Sequence, residues 1–104
     1  MKRLTDHKGL EVRVTKERQE HILEHPEMAE MLDSITETLA SPENVIKSLT
    51  DPEARLYYKY YKNTLVGDKY LCVVVKLPKE GDAFLLTAYL TDTVKKGETI
   101  WPRR

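Results

Sequence analysis

His21 and His25 stand four residues apart in His21-Ile22-Leu23-Glu24-His25, a spacing that puts both imidazoles on one side of a helix. With Glu24 between them the letters match an inverted zinc-peptidase motif. A catalytic zinc also needs a third protein ligand, supporting hydrogen bonds and a cleft, and in so glutamate-rich a segment the match reads as coincidence, so no metal and no cofactor are expected. What remains for these imidazoles is proton transfer at His21, contact of His25 with the last carbonyls of its helix, or plain solvation. A second stretch, Arg55-Leu56-Tyr57-Tyr58-Lys59-Tyr60-Tyr61-Lys62, interleaves cations with four tyrosines. On an open sheet face such residues meet phosphates and stack on the bases of single-stranded nucleic acid, for about 1–3 kcal/mol per base. Tyr and Thr are also simply good strand residues, and Arg55, Lys59 and Lys76 would solubilise an exposed face equally well. Cys72 lies inside an apolar run with nothing beside it to lower its pKa, which reads as a small buried hydrophobe.

The elements that must carry these groups follow from periodicity. Leu10-Glu11-Val12-Arg13-Val14 alternates as a short strand. Thr15 then reads as an N-cap, and a helix runs from Lys16 to His25, where Pro26 ends it. Met28, Met31, Leu32, Ile35 and Leu39 recur at threes and fours, the stripe of a second helix that Ser41-Pro42 stops. The period then becomes two: Asn44–Leu49, Arg55–Lys62, Lys69–Leu77 and Ala83–Thr91 read as strands, the last two as an antiparallel hairpin, while residues 93–104 carry no clear signal. The expected fold is α+β, with two N-terminal helices on one face of a four-stranded antiparallel sheet and a short preceding strand. One domain spans residues 1–104, with residues 1–9, His7 among them, flexible and Trp101 closing the edge of the core.

Alternation assigns faces. Phe84, Leu86, Ala88 and Leu90 are expected on the helix side, as are Leu71, Val73, Val75 and Leu77, and Leu56, Tyr58 and Tyr60. The opposite, open face then shows Arg55, Tyr57, Lys59, Tyr61, Thr87, Tyr89 and Thr91 together.

The 104 residues carry 17 Lys+Arg against 17 Asp+Glu, a balance that argues against nucleic-acid binding by bulk charge alone. Charge is uneven all the same: residues 15–43 hold two bases against eight acids, and residues 51–104 ten bases against seven acids. The longest apolar run, Tyr70–Val75, is far shorter than the roughly 18 residues a membrane span needs. The charged start, Met1-Lys2-Arg3-Leu4, does not read as a secretory signal. With Cys72 alone no internal disulfide forms, and a reducing, cytoplasmic setting is expected.

Taken in order, Val14 to Met28, Arg55-Leu56-Tyr57-Tyr58, Tyr70 to Lys76, Thr87-Ala88-Tyr89-Leu90-Thr91 and Lys96-Gly97-Glu98-Thr99-Ile100-Trp101 resemble a phage-associated nuclease-like family. It belongs to the barnase, EndoU, colicin and RelE-like group of predicted ribonucleases, found within phage polyvalent proteins or as small stand-alone genes. The resemblance covers roughly residues 10–101, and its specificity lies in the ordered combination. Gln19 departs from the pattern, standing where the family has a tryptophan. The resemblance implies two helices on a four-stranded sheet and metal-independent RNA cleavage. In that chemistry the ribose 2′-hydroxyl attacks the adjacent phosphate, with His21 as acid or base, Arg55 as phosphate clamp, and Thr87 and Tyr89 as hydrogen-bond donors. His25, Tyr57, Lys59 and Thr91 are implied as substrate-binding residues. The implied partners are RNA and either a cognate inhibitor or a larger phage protein. A non-catalytic RNA-binding or protein-interaction module on the same fold is the alternative.

Overall fold

The computed structural model describes residues 2–102. Seven strands and two α-helices follow in the order β1 (Lys2–Thr5), β2 (Glu11–Val14), α1 (Lys16–Leu23), α2 (Leu32–Ala40), β3 (Asn44–Ser48), β4 (Ala54–Thr64), β5 (Gly67–Lys76), β6 (Phe84–Thr91) and β7 (Gly97–Trp101). A 3-10 turn, Pro26–Met28, separates the helices. The strands form a single sheet ordered β1-β2-β6-β5-β4-β3-β7. The α+β expectation stands, but the four-stranded sheet is corrected: β3 to β6 form the expected meander, and β2 with β1 adds at one side and β7 at the other. These additions are short, and β3 meets β7 about 50 residues along the chain, so no local pattern announces them. The expected flexible start is likewise a strand, with Lys2–Thr5 paired antiparallel to Glu11–Val14.

Helix α1 begins where its cap places it. The Thr15 hydroxyl accepts from the Arg18 amide at 3.2 Å, satisfying one of the amides that a helix N-terminus leaves open. Thr15→Ala is expected to lower stability by about 1 kcal/mol, read as a reduced midpoint in urea with an unchanged slope. The second helix starts later than its apolar stripe predicts, because Pro26 and the turn after it hold Met28 and Met31 outside regular α geometry while both stay buried.

Both faces of the sheet are covered. The helix side buries Val12, Val14, Ile22, Met28, Ile35, Leu39, Val45, Tyr57, Leu71, Val73, Val75, Leu85 and Ala88. On the far side Ile46, Leu56, Tyr58, Cys72 and Val74 form a second cluster with Val94 against them. Its cover is the β6–β7 connection: β6 ends beside Tyr70 and β7 begins beside Ser48, so residues 92–96 cross this face, and the Lys95 amide donates to the Tyr58 hydroxyl at 3.1 Å. The expected open face is corrected accordingly.

Two face assignments are corrected with it. On β4, Tyr57 belongs to the helix side and Tyr61 packs against that core, whereas Leu56 and Tyr58 face the crossover. The pattern misleads because residues 54–58 are buried nearly without interruption, as expected of a strand covered on both faces. On β6 a bulge opposite Val74 and Val75 inserts one extra residue, which turns Leu85 to the helix-side core and Leu86 to the far one. Among the described residues, no helix is long and apolar enough to cross a membrane.

Candidate functional site

The residues singled out from sequence do not meet at one place. His21 is exposed on α1 with its Nδ1 3.4 Å from Glu24, and exposed His25 lies 3.4 Å from Glu27. Each histidine thus has a carboxylate of its own, and among the described residues no group of three metal-ligating side chains forms. Arg55, Tyr57 and Lys59 alternate along the helix side of β4, while Thr87, Tyr89 and Thr91, paired to Val74, Cys72 and Tyr70, lie on the opposite side of the sheet. The sheet itself separates the two sets, so the single open-face site expected from sequence is corrected.

The far-side set has structural surroundings. Tyr89 packs against the cluster that holds Cys72 and Tyr58, and burial raises its hydroxyl pKa well above the usual value. The same burial pushes Tyr58 up to about 12 and raises the Cys72 thiol, so these groups keep their protons at neutral pH. Thr91 Oγ1 accepts from the Thr93 amide at 3.4 Å and donates to its carbonyl at 3.3 Å, turning the chain into the crossover. Lys59 reaches the Ser41 carbonyl at 3.0 Å, tying β4 to the end of α2.

Chemistry gathers instead at the β3–β4–β7 end of the helix side. The helices lean on β6, β5, β4 and β1, and here the β1–β2 turn is what covers the sheet. That turn, Asp6 to Leu10, is built by its own residues. Gly9 takes φ +88°, a conformation that costs glycine little. Asp6 Oδ1 accepts the amides of Lys8 and Leu10, each at 2.9 Å. Buried Asp6 also accepts from the Tyr57 hydroxyl at 2.7 Å through Oδ2, so Tyr57, only 2% exposed, anchors the turn rather than facing a substrate.

The sheet register lays out the floor beneath it. Tyr57, Val45 and Trp101 pair in one row across β4, β3 and β7, and Arg55, Lys47 and Glu98 pair in the next. Paired residues share a face, so both rows look toward the turn. Tyr57 and Trp101 stand two strands apart, about 10 Å, and the His7 ring lies between them, 6.2 Å from Tyr57 edge-on and 5.0 Å from Trp101. Lys8 Nζ sits 5.0 Å from the centroid of the same indole, within cation–π range. Arg55 Nη1 donates to the Pro52 carbonyl at 3.1 Å, which steadies the guanidinium at the rim.

Burial lowers the His7 pKa below its ordinary value, against a weaker upward pull from Asp6. The imidazole is therefore neutral at pH 7, a proton acceptor with Lys8 beside it and with Lys47 and Arg55 in the adjoining row of the sheet. Of this constellation the sequence reading singled out Arg55 and Tyr57. A signal for His7 was available: Asp6-His7-Lys8-Gly9 is a turn sequence between alternating Leu4 and Leu10–Val14. Lys47 and Glu98 carried none, since only strand pairing brings them beside it. Comparison with models of protein families, with curated proteins and with solved structures finds no match.

Proposed function

We propose that this chain is a metal-independent endoribonuclease whose site is the rim formed by the β1–β2 turn and the β4-β3-β7 rows. The observation that carries the reading is an imidazole of lowered pKa, His7, held between Tyr57 and Trp101, with Lys8 next to it and Lys47 and Arg55 paired in the adjoining row of the sheet. Cleavage by internal transfer needs a group that accepts the 2′-hydroxyl proton, positive charge for the phosphorane oxygens and a proton for the departing 5′-oxygen. His7 accepts the first proton as O2′ bonds to phosphorus. Arg55 and Lys47 stabilise the non-bridging oxygens. As the P–O5′ bond breaks, the Lys8 ammonium returns a proton to the leaving oxygen. The products are a 2′,3′-cyclic phosphate and a 5′-hydroxyl. Glu98 stands opposite Lys47 across the β3–β7 pair.

The resemblance to phage-associated nucleases supports the same chemistry, with Arg55 in the role it implies and His7, Lys8 and Lys47 in place of His21, Thr87 and Tyr89. It also supports RNA in the cytoplasm as the substrate's setting and a cognate inhibitor or larger phage protein as partner. The test is incubation of the purified chain with mixed RNA in EDTA, reading fragment ends. Cyclic phosphate ends support the reading; RNA retained without cleavage replaces it with a binding module whose affinity falls as salt rises.

The pH profile has a defined sign. His7 acts in its neutral form, and its pKa is lowered, so cleavage is expected to be at full rate at pH 7. On the acid side it should fall as pH drops through a midpoint below about 6.5. A midpoint above that value would remove His7 as the base.

A further inference from the structure

We propose that the Asp6–Tyr57 hydrogen bond is a positioning latch, clamping the β1–β2 turn onto the sheet so that His7 is held against Trp101 in the orientation proton transfer requires. The use of the latch rests on the ribonuclease reading; its existence rests on geometry alone. Asp6 is 7% exposed and meets three donors: two amides of its own turn at 2.9 Å and the Tyr57 hydroxyl at 2.7 Å. The amide bonds shape the turn locally. The tyrosine bond joins residues 51 apart, and it ties the turn to the row on which Trp101 stands. An apolar pair would fill this space without burying a carboxylate; what the polar pair adds is direction, because a 2.7 Å bond fixes where the next residue, His7, projects. The charged and titratable groups beside the imidazole are Asp6 and Lys8 on its own turn and Tyr57 on β4, and the next row of the same face carries Arg55 on β4, Lys47 on β3 and Glu98 on β7.

Trp101 is the only tryptophan in the chain, so its emission reads the contact directly, protonated imidazole being a quencher of indole. In the wild type, emission is expected to fall as pH drops through the His7 pKa, and His7→Ala to abolish the step. Tyr57→Phe keeps the ring and removes only the hydroxyl. It is expected to shrink the step, to move its midpoint up toward 6.5 as the imidazole gains water, and to lower kcat for RNA cleavage roughly tenfold to a hundredfold with KM unchanged. Asp6→Asn retains an acceptor for the two amides and offers its Nδ2–H to the Tyr57 oxygen. The imidazole stays seated but loses the carboxylate's pull, so the midpoint moves down. A Tyr57→Phe protein that titrates like the wild type in amplitude and midpoint overturns the latch, and where that variant does not fold, an Asp6→Ala protein that keeps the full wild-type emission step does so. Wild-type protein that cleaves no RNA overturns the ribonuclease reading, while the fluorescence titration still decides the latch.

Discussion

His7→Ala is expected to cut RNA cleavage by about 10²- to 10⁴-fold, the usual contribution of a positioned acid or base, while leaving the melting midpoint close to that of the wild type. The turn keeps its shape in this variant. Its hydrogen bonds run through the Asp6 carboxylate, the amides of Lys8 and Leu10 and the Tyr57 hydroxyl, and Gly9 still supplies the positive φ. What is lost is the neutral imidazole between Tyr57 and Trp101. His21→Ala and His25→Ala are expected to keep the wild-type rate, since both rings are exposed and paired with Glu24 and Glu27. Initial rates on one oligoribonucleotide in EDTA, with cyclic phosphate ends counted, separate these outcomes. Full activity in His7→Ala, or its loss in His21→Ala, would move the site to α1.

Gly97→Ala is expected to be strongly destabilising, since of the four glycines it is the one where an added Cβ meets close neighbours. A Cβ at this position would strike the Lys47 carbonyl oxygen and come within 2.6 Å of Ile46 Cγ2. The first of these is backbone and cannot rotate away. Among the described residues β7 is an edge strand paired to β3 alone, so the strain is released by parting the two. Overpacking of this kind costs about 1–3 kcal/mol, and a chain of this size loses about 4–8 °C of Tm per kcal/mol. The same movement withdraws Glu98 and Trp101 from the rim, so cleavage falls together with Tm. Thermal melting beside the cleavage assay checks both, and a Gly97→Ala protein that melts with the wild type would show that β3 and β7 do not approach each other as closely as this.

Much of the architecture was legible along the chain. Thr15 and Pro26 bound a helix segment, the stripe through Ile35 and Leu39 announces the second helix, and the period-two runs from Asn44 to Thr91 order the central meander. Each of these signals is local, arising from residues that touch within one turn or one strand. Arg55 was found because its type is chemical wherever it stands. Its facing was not. Alternation divides β4 into two sets of residues but carries no sign saying which set meets the helices, and the sign was hidden because the 92–96 crossover buries the other face as well. His7 had a turn signal and no reason to matter until Tyr57, 50 residues onward, and Trp101, 94 residues onward, were brought to either side of it. The elements were set by neighbours in sequence; the site was set by strand pairing and a buried hydrogen bond between residues far apart, contacts that exist only once the chain has closed on itself.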